Sequence, residues 1–231
     1  MTDPNDYFSL EKFAHKALWK EGEPVWSALH LLNDYLKANN PCRIEIEIPK
    51  GVFLERPELI SIGKGTIIEP GVMIQGPCII GKGCIIRHGA YIRGLVICGD
   101  HCAIGHSAEI KHSILFDRAH ATHFVYVGDS ILGNEVNLGA GVKCANLRLD
   151  RAEILVQKIK TGLKKFGAIV GDRVQIGCNS VLNPGTMVGK GSVFFPLVNL
   201  GGIVPPYSQV SMKKELKIQP LKANLLDRIG K

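Results

Sequence analysis

Around residue 120 the chain gathers groups that do proton-transfer chemistry. The stretch from Asp117 to Ile131, DRAHATHFVYVGDSI, holds His120 and His123 beside Tyr126 and Asp129, and it follows Glu109, Lys111 and His112. An imidazole takes a proton from an attacking amine near neutral pH, a carboxylate orients the imidazole, and Lys or Arg holds a phosphate. A single His on such a surface is more often a solvated corner residue. What sets this cluster apart is its place, because it falls where a long internal repeat is interrupted.

That repeat has a period of six. Every sixth residue from Ile62 is apolar, through Ile68, Ile74, Ile80, Ile86, Ile92, Cys98, Ile104 and Ile110 to Phe116. The phase then slips, resumes at Leu132, Leu138 and Cys144, breaks again, and returns at Val170, Ile176, Leu182, Val188, Phe194 and Leu200. Neither a helix nor a β-hairpin has this spacing. A hexapeptide β-helix does: each hexad forms one face, three faces close a triangular coil, and the sixth side chain points inward. Gly follows the inward residue at Gly63, Gly81, Gly105, Gly133, Gly139, Gly171, Gly177 and Gly189, where the chain must turn a tight corner. The fold expected is therefore all-β, a parallel β-helix, with a short N-terminal helical cap. Coils of this kind are generally wound left-handed, which is a property of the hexapeptide families and not of crossover connections at large.

The positioning elements follow in order. Residues 1–42 form an N-terminal segment with two short amphipathic helices, one carrying Phe8, Leu10, Phe13, Ala14, Ala17 and Leu18, the other Val25, Ala28, Leu29, Leu32 and Leu36 after Pro24. Residues 43–210 form the coil, in which Ile44, Ile46 and Ile48 read as a lead-in strand covering the first turn. A charged stretch without hexads, 147–167, reads as a projecting loop. Residues 211–231 form a basic tail with a possible helix from Leu221 to Ile229. The chain has 231 residues, 45% of them hydrophobic, enough for a full core without disulfides. Seven Cys and no CxxC pair suit a reducing compartment, with Cys84, Cys98, Cys144 and Cys178 as small hydrophobes within the coil. No long apolar run or signal peptide is visible, so a cytoplasmic protein without membrane insertion is expected. The net charge of +7 lacks the aromatic-interleaved basic stripe of a nucleic-acid binder and suits phosphorylated metabolites and CoA instead.

The run EIKHSILFDRAHATHFVYVGDSILGNEVNLGAGVKCANLRLD resembles the acetyltransferase half of the bifunctional glucosamine-1-phosphate acetyltransferase/N-acetylglucosamine-1-phosphate uridylyltransferase family. The later ANLRLD and KKFGAIVGD are similar to its archaeal sugar-1-phosphate nucleotidylyltransferase/acetyltransferase branch. The likeness covers roughly residues 80 to 200. It implies transfer of acetyl from acetyl-CoA to the 2-amine of a hexosamine 1-phosphate, in a homotrimer. By position, it makes His123 the catalytic base and Glu109 the carboxylate near it. Arg87 and Lys111 match residues that hold the sugar phosphate, and Tyr126, Asn137, Asn146 and Lys165 match the rest of the sugar pocket. Ala140 falls where the family's backbone meets acetyl-CoA, with its N–H at the developing oxyanion, and Cys178 falls at a Ser that contacts the CoA. The pattern is broken at Thr122, which stands for a Gly, and at Leu147, which stands for a Tyr. Nothing in the first forty residues resembles the Gly-rich loop of the nucleotidyl-transfer domain, so that second activity is not expected.

Three other readings compete. A zinc site would need three His converging on one ion; His120 and His123 are three apart in a non-helical segment and the sequence places no third, so no metal is assigned. An acyltransferase fed by acyl carrier protein shares the coil and would suit a basic tail. A non-catalytic trimeric scaffold that binds a sugar phosphate or nucleotide sugar shares the fold as well, because fold alone does not establish activity.

Overall fold

The computed structural model describes residues 2–212. The basic cluster from Lys213 onward and the possible helix from Leu221 to Ile229 lie outside the described residues.

The six-residue phase becomes three parallel sheets of eight strands each. Face one runs from Phe53–Glu55 through Met73–Gln75, Tyr91–Ile92, Glu109–Lys111, Tyr126–Gly128, Lys143–Cys144 and Val181–Leu182 to Asn199–Leu200. Face two starts at Ile60–Ile62 and face three at Ile67–Ile68, and each gains one strand per turn of the coil. The expected parallel β-helix is what forms. Inward residues stack in register, as with Ile74, Ile92, Ile110, Val127 and Cys144 along face one. Ile44 bridges Ile62, and Ile46 and Ile48 pack against the first turn, so the segment covers it, but as irregular chain with a single bridge and not as the expected strand.

The phase corrects the reading at one point. Phe116 does not face inward; Leu115 does, in register with Cys98 on one side and Leu132 on the other. Ala121 and Val127 then continue the ladder. The inward positions are thus five apart from Ile110 to Leu115 and again from Val127 to Leu132, and six apart between. Each shortened corner contains one residue in left-handed backbone, His112 (φ 45°) and Asp129 (φ 48°). The repeat is not lost between Phe116 and Leu132; it drops one residue per turn at the corner between faces one and two.

Phe116 is fully buried on the outside of face two, stacked on Phe13 at 3.9 Å and on Phe8 at 4.6 Å between ring centroids. It belongs to a second core. The middle residues of the face-two strands, Ile79, Ile97, Ile114, Ile131, Ile169 and Met187, all point outward and are buried under the N-terminal segment. Each such side chain removed from water contributes on the order of 2 kcal/mol. This segment contains one α-helix, α1 (Ser27–Asn39), which buries Ala28, Leu29, Leu32 and Leu36. The first expected helix is absent: residues 8–18 run as turns with a short 3₁₀ stretch at Lys16–Leu18. Here tertiary contact overrides spacing, since Phe8, Phe13 and Trp19 each reach Phe116 separately. The segment therefore lies along a side of the coil, where the reading had set a cap.

The 147–167 stretch leaves the coil after Cys144 and forms a small antiparallel hairpin of Leu155–Val156 with Ile159–Lys160. Ile154 and Val156 are buried in the same second core. The seven cysteines are free; Cys78, Cys84, Cys98, Cys102 and Cys144 are buried, whereas Cys178, read as a small core residue, is exposed. It sits at a corner, whose second residue faces outward. Burial pushes the Cys78 and Cys144 thiols up to about 12, which suits inert packing. Among the described residues no helix is long and apolar enough to cross a membrane.

Candidate functional site

The corner between faces three and one repeats one local structure in every turn. Its second position holds, in successive turns, Pro70, His88, His106, His123, Ala140, Cys178 and Pro196. Proline at two of these places shows that those two turns close without an N–H there. Among the described residues no backbone oxygen takes the Ala140 N–H, while the Ala140 carbonyl accepts from the Asn179 N–H at 2.8 Å. His123, Ala140 and Cys178, assigned separately to base and acyl donor, therefore form one column on consecutive turns. His123 is exposed, and its carbonyl accepts from the Gly141 N–H at 2.9 Å. Below it the His106 and His88 rings stack, with centroids 5.8 Å apart, and His106 meets Phe124 edge-on at 5.2 Å. Arg87 lies at this corner too, two turns below His123, and is exposed.

Close packing sets the corner's position. A Cβ on Gly105 would stand 1.6 Å from the Thr122 carbonyl oxygen, so only glycine lets the turn that carries His123 settle on the one beneath.

A second group forms one strand further on, along face one and its corner with face two. Asp129 is its centre and is 3% exposed. Its carboxylate accepts from Lys111 Nζ at 3.0 Å, from His112 Nδ1 at 2.7 Å and from Asn146 Nδ2. Burial alone would raise its pKa, but the hydrogen bonds from His112, Asn146 and Lys111 hold the carboxyl below its usual range. The other nitrogen of His112, Nε2, lies 3.1 Å from the Leu29 carbonyl oxygen of α1. Each ring nitrogen faces an acceptor oxygen, and a ring carrying both protons donates to both at once. Tyr126 stands against the Asn146 carboxamide, and burial, together with Asp129 and Glu109, raises its phenol. The Asn146 carbonyl accepts from the Phe166 N–H at 2.9 Å, and Leu147 bridges Lys165, which leaves exposed Lys165 at the edge of this group.

Of the residues assigned from sequence, Lys111, Tyr126, Asn146 and Lys165 thus come together. Glu109 shares face one with Tyr126, but its carboxylate is bonded to Arg93 at 2.6 Å and not to His123. Asn137 is apart from both groups: on face three, beside His120, it lines an open depression of about 600 Å³ with His101, Arg118, Glu135 and Gln175. Sequence reasoning passed over Arg93 and did not recognise Asp129 and His112 as a unit. Arg93 lies eighteen residues before Lys111, one full turn, a spacing that marks it as a neighbour on the same face. The pairing of His112 with Asp129 had no such signal, because the turn between them is one residue short. Among the described residues no group of three or more His, Cys, Asp or Glu is placed to hold a metal ion.

Comparison with known proteins adds to this geometry. Residues 74–194 match the family model described as the GMPPB C-terminal domain. The chain belongs to that family. The matched GMPPB C-terminal region takes in the His column and most of the Asp129 group, and it leaves out α1. The chain is 38% identical over 91 residues to a bifunctional sugar-1-phosphate nucleotidylyltransferase/acetyltransferase of Sulfurisphaera tokodaii, covering 38% of this chain and 23% of the relative. It is 34% identical over 178 residues to the bifunctional protein GlmU of Methanococcus aeolicus, covering 75% of this chain and 42% of the relative. The chain therefore spans less than half the length of these bifunctional relatives. With a putative uncharacterized acetyltransferase of Escherichia coli, YaiX, it shares 32% identity over 190 residues, 80% of this chain and 82% of that one. Among solved structures, a UDP-N-acetylglucosamine acyltransferase of Francisella novicida aligns with a TM-score of 0.56 at 18% identity, over 73% of this chain and 66% of that chain, which shows a shared fold.

Proposed function

We propose that the protein is an acyltransferase that moves acetyl from acetyl-CoA to the 2-amine of a hexosamine 1-phosphate, acting as a homotrimer. The observation that carries this reading is the column of exposed His123, half-buried Ala140 and exposed Cys178 on consecutive turns, one strand away from the cationic and carboxamide group of Lys111, Asn146 and Lys165. The column offers a base, an unused N–H and a path for a long donor along the coil. The neighbouring group offers charge for a phosphate and polar partners for hydroxyls.

In this reaction the amine nitrogen attacks the thioester carbonyl and gives its proton to His123. The tetrahedral oxyanion is met by the Ala140 N–H. Collapse breaks the C–S bond, and the departing thiolate takes the proton from His123, so that CoA leaves as the thiol and the base is restored. Arg93 and Glu109, paired on face one, hold the amine's side of the pocket, and Lys111 and Lys165 hold the phosphate. Similarity to proteins named as acetyltransferases supports the donor, and the corner supports the chemistry.

The test is a thiol-release assay with acetyl-CoA and glucosamine 1-phosphate, repeated with galactosamine 1-phosphate and with acyl carrier protein as donor. His123→Ala is expected to lower kcat by about 10²–10⁴, the usual worth of a general base. Absence of wild-type turnover with any amino-sugar phosphate would leave a binding scaffold as the correct description.

A further inference from the structure

Helix α1 touches the candidate pocket at two places, which the coil also joins through the Gly167 N–H on the Asp129 carbonyl at 2.8 Å. From one side, the Leu29 carbonyl lies 3.1 Å from His112 Nε2, and His112 passes to Asp129, whose carboxylate also holds Lys111 and Asn146. From the other side, His30 Nε2 meets the Thr161 carbonyl at 2.8 Å, and Trp26 lies with its ring centroid 6.3 Å from that of Phe166. Thr161 in turn ties the hairpin to itself, donating to the Ile154 carbonyl at 2.6 Å and accepting from the Leu163 N–H at 3.1 Å. Phe166 directly follows Lys165, and its N–H is bonded to Asn146. Neighbouring residues of one helix, Leu29 and His30, thus reach both the coil corner and the loop that close on the same four side chains.

Like the other corners, this one has a backbone bond to the turn beneath, from the Asp129 N–H to the Lys111 carbonyl at 2.9 Å; what it adds is a buried carboxylate. A buried carboxylate at a shortened corner needs partners, and one of its three is a ring anchored on α1.

We propose that α1 is a positioning element of the sugar-phosphate pocket, setting Lys111 and Asn146 through His112 and Asp129, and Lys165 through the Thr161 hairpin. This rests on the acyl-transfer reading for its kinetic consequence only. The residues concerned, His112 and His30, act through others and are positioning residues. The helix lies before the matched family region, so this pocket is braced by a part of the chain that residues 74–194 do not contain.

The experiment compares full-length wild type with His30→Ala, His112→Ala and His112→Gln. Hydrogen exchange across residues 147–167 is followed together with thermal melting and with the KM values for glucosamine 1-phosphate and acetyl-CoA. His30→Ala is expected to speed amide exchange in 147–167 at least tenfold and to raise KM for the sugar phosphate about tenfold, with KM for acetyl-CoA and the melting temperature unchanged. His112→Ala is expected to raise the same KM, and His112→Gln to restore part of it. Unchanged exchange in 147–167 in His30→Ala would overturn the proposal. So would a parallel rise of both KM values with a fall in melting temperature, which is what a merely structural role gives. If the wild type shows no turnover, the acyl-transfer reading fails, and the exchange measurement still decides whether α1 braces the loop.

Discussion

Two corners of one coil have been put to opposite uses. The corner between faces three and one carries His88, His123 and Cys178, which are exposed, and His106 and Ala140, which are half-buried. The corner between faces one and two carries half-buried His112 and buried Asp129, each bonded to more than one partner. The backbone repeat is the same, yet at the second corner the turn drops a residue, and the side chain that would point to solvent is drawn under α1. An exposed imidazole is free to meet a substrate and exchange protons. A buried carboxylate with three donors is fixed and serves to fix others. The proposed base and the proposed positioning groups are separated by about one strand.

This contrast is easiest to break by removing one group from each corner. Asp129→Ala should lose about 3–5 kcal/mol of stability in chemical unfolding, because Lys111, His112 and Asn146 would be left around an empty place. His123→Ala should change stability by less than about 0.5 kcal/mol while abolishing most turnover, as expected of a surface group. Equal losses at both corners would show that the distinction is false.

The outer core gives the next largest effect. Phe116→Ala should cost about 3–5 kcal/mol, because Phe8, Phe13 and Trp19 would lose their common partner. If Phe116 faced the inside of the coil instead, the same variant would disturb the sheet registers, which circular dichroism and exchange in 98–132 would report. Gly105→Ala should cost about 1–3 kcal/mol by pushing the Thr122 carbonyl aside, and should lower turnover by displacing His123.

A finer test uses acid. The Asp129 carboxyl is held below its ordinary value, so its contribution is present above the unfolded carboxylate value of about 4 and is lost as pH falls through the folded one. The difference in melting temperature between wild type and Asp129→Asn should be full near pH 7 and shrink steadily below pH 4. A difference independent of pH would mean that the carboxylate's charge is not what matters at this corner.

Much of the fold was legible because the inward ladder is a one-dimensional pattern: a β-helix stacks each residue on the one a turn earlier, so a fixed spacing suffices. The outer core left a readable trace too. Ile79, Ile97, Ile114, Ile131, Ile169 and Met187 come just before inward residues once per turn, and an apolar pair there means a strand buried on both sides. His123, Ala140 and Cys178 were each marked by resemblance, but that they form a column follows only when the 17-residue and 18-residue turns are counted correctly.

The sequence by itself determined the coil, its inward residues over most of its length and the region where chemistry gathers, since these depend on neighbours at a constant distance along the chain. Tertiary structure decided what lies at variable distance: that Phe116 turns outward, that residues 8–18 give up helical form, that Glu109 meets Arg93, and that Leu29 reaches His112 eighty-three residues away. Those contacts join segments with no shared period. Their outcome rests on packing and on the need of a buried carboxylate for partners, which no spacing encodes.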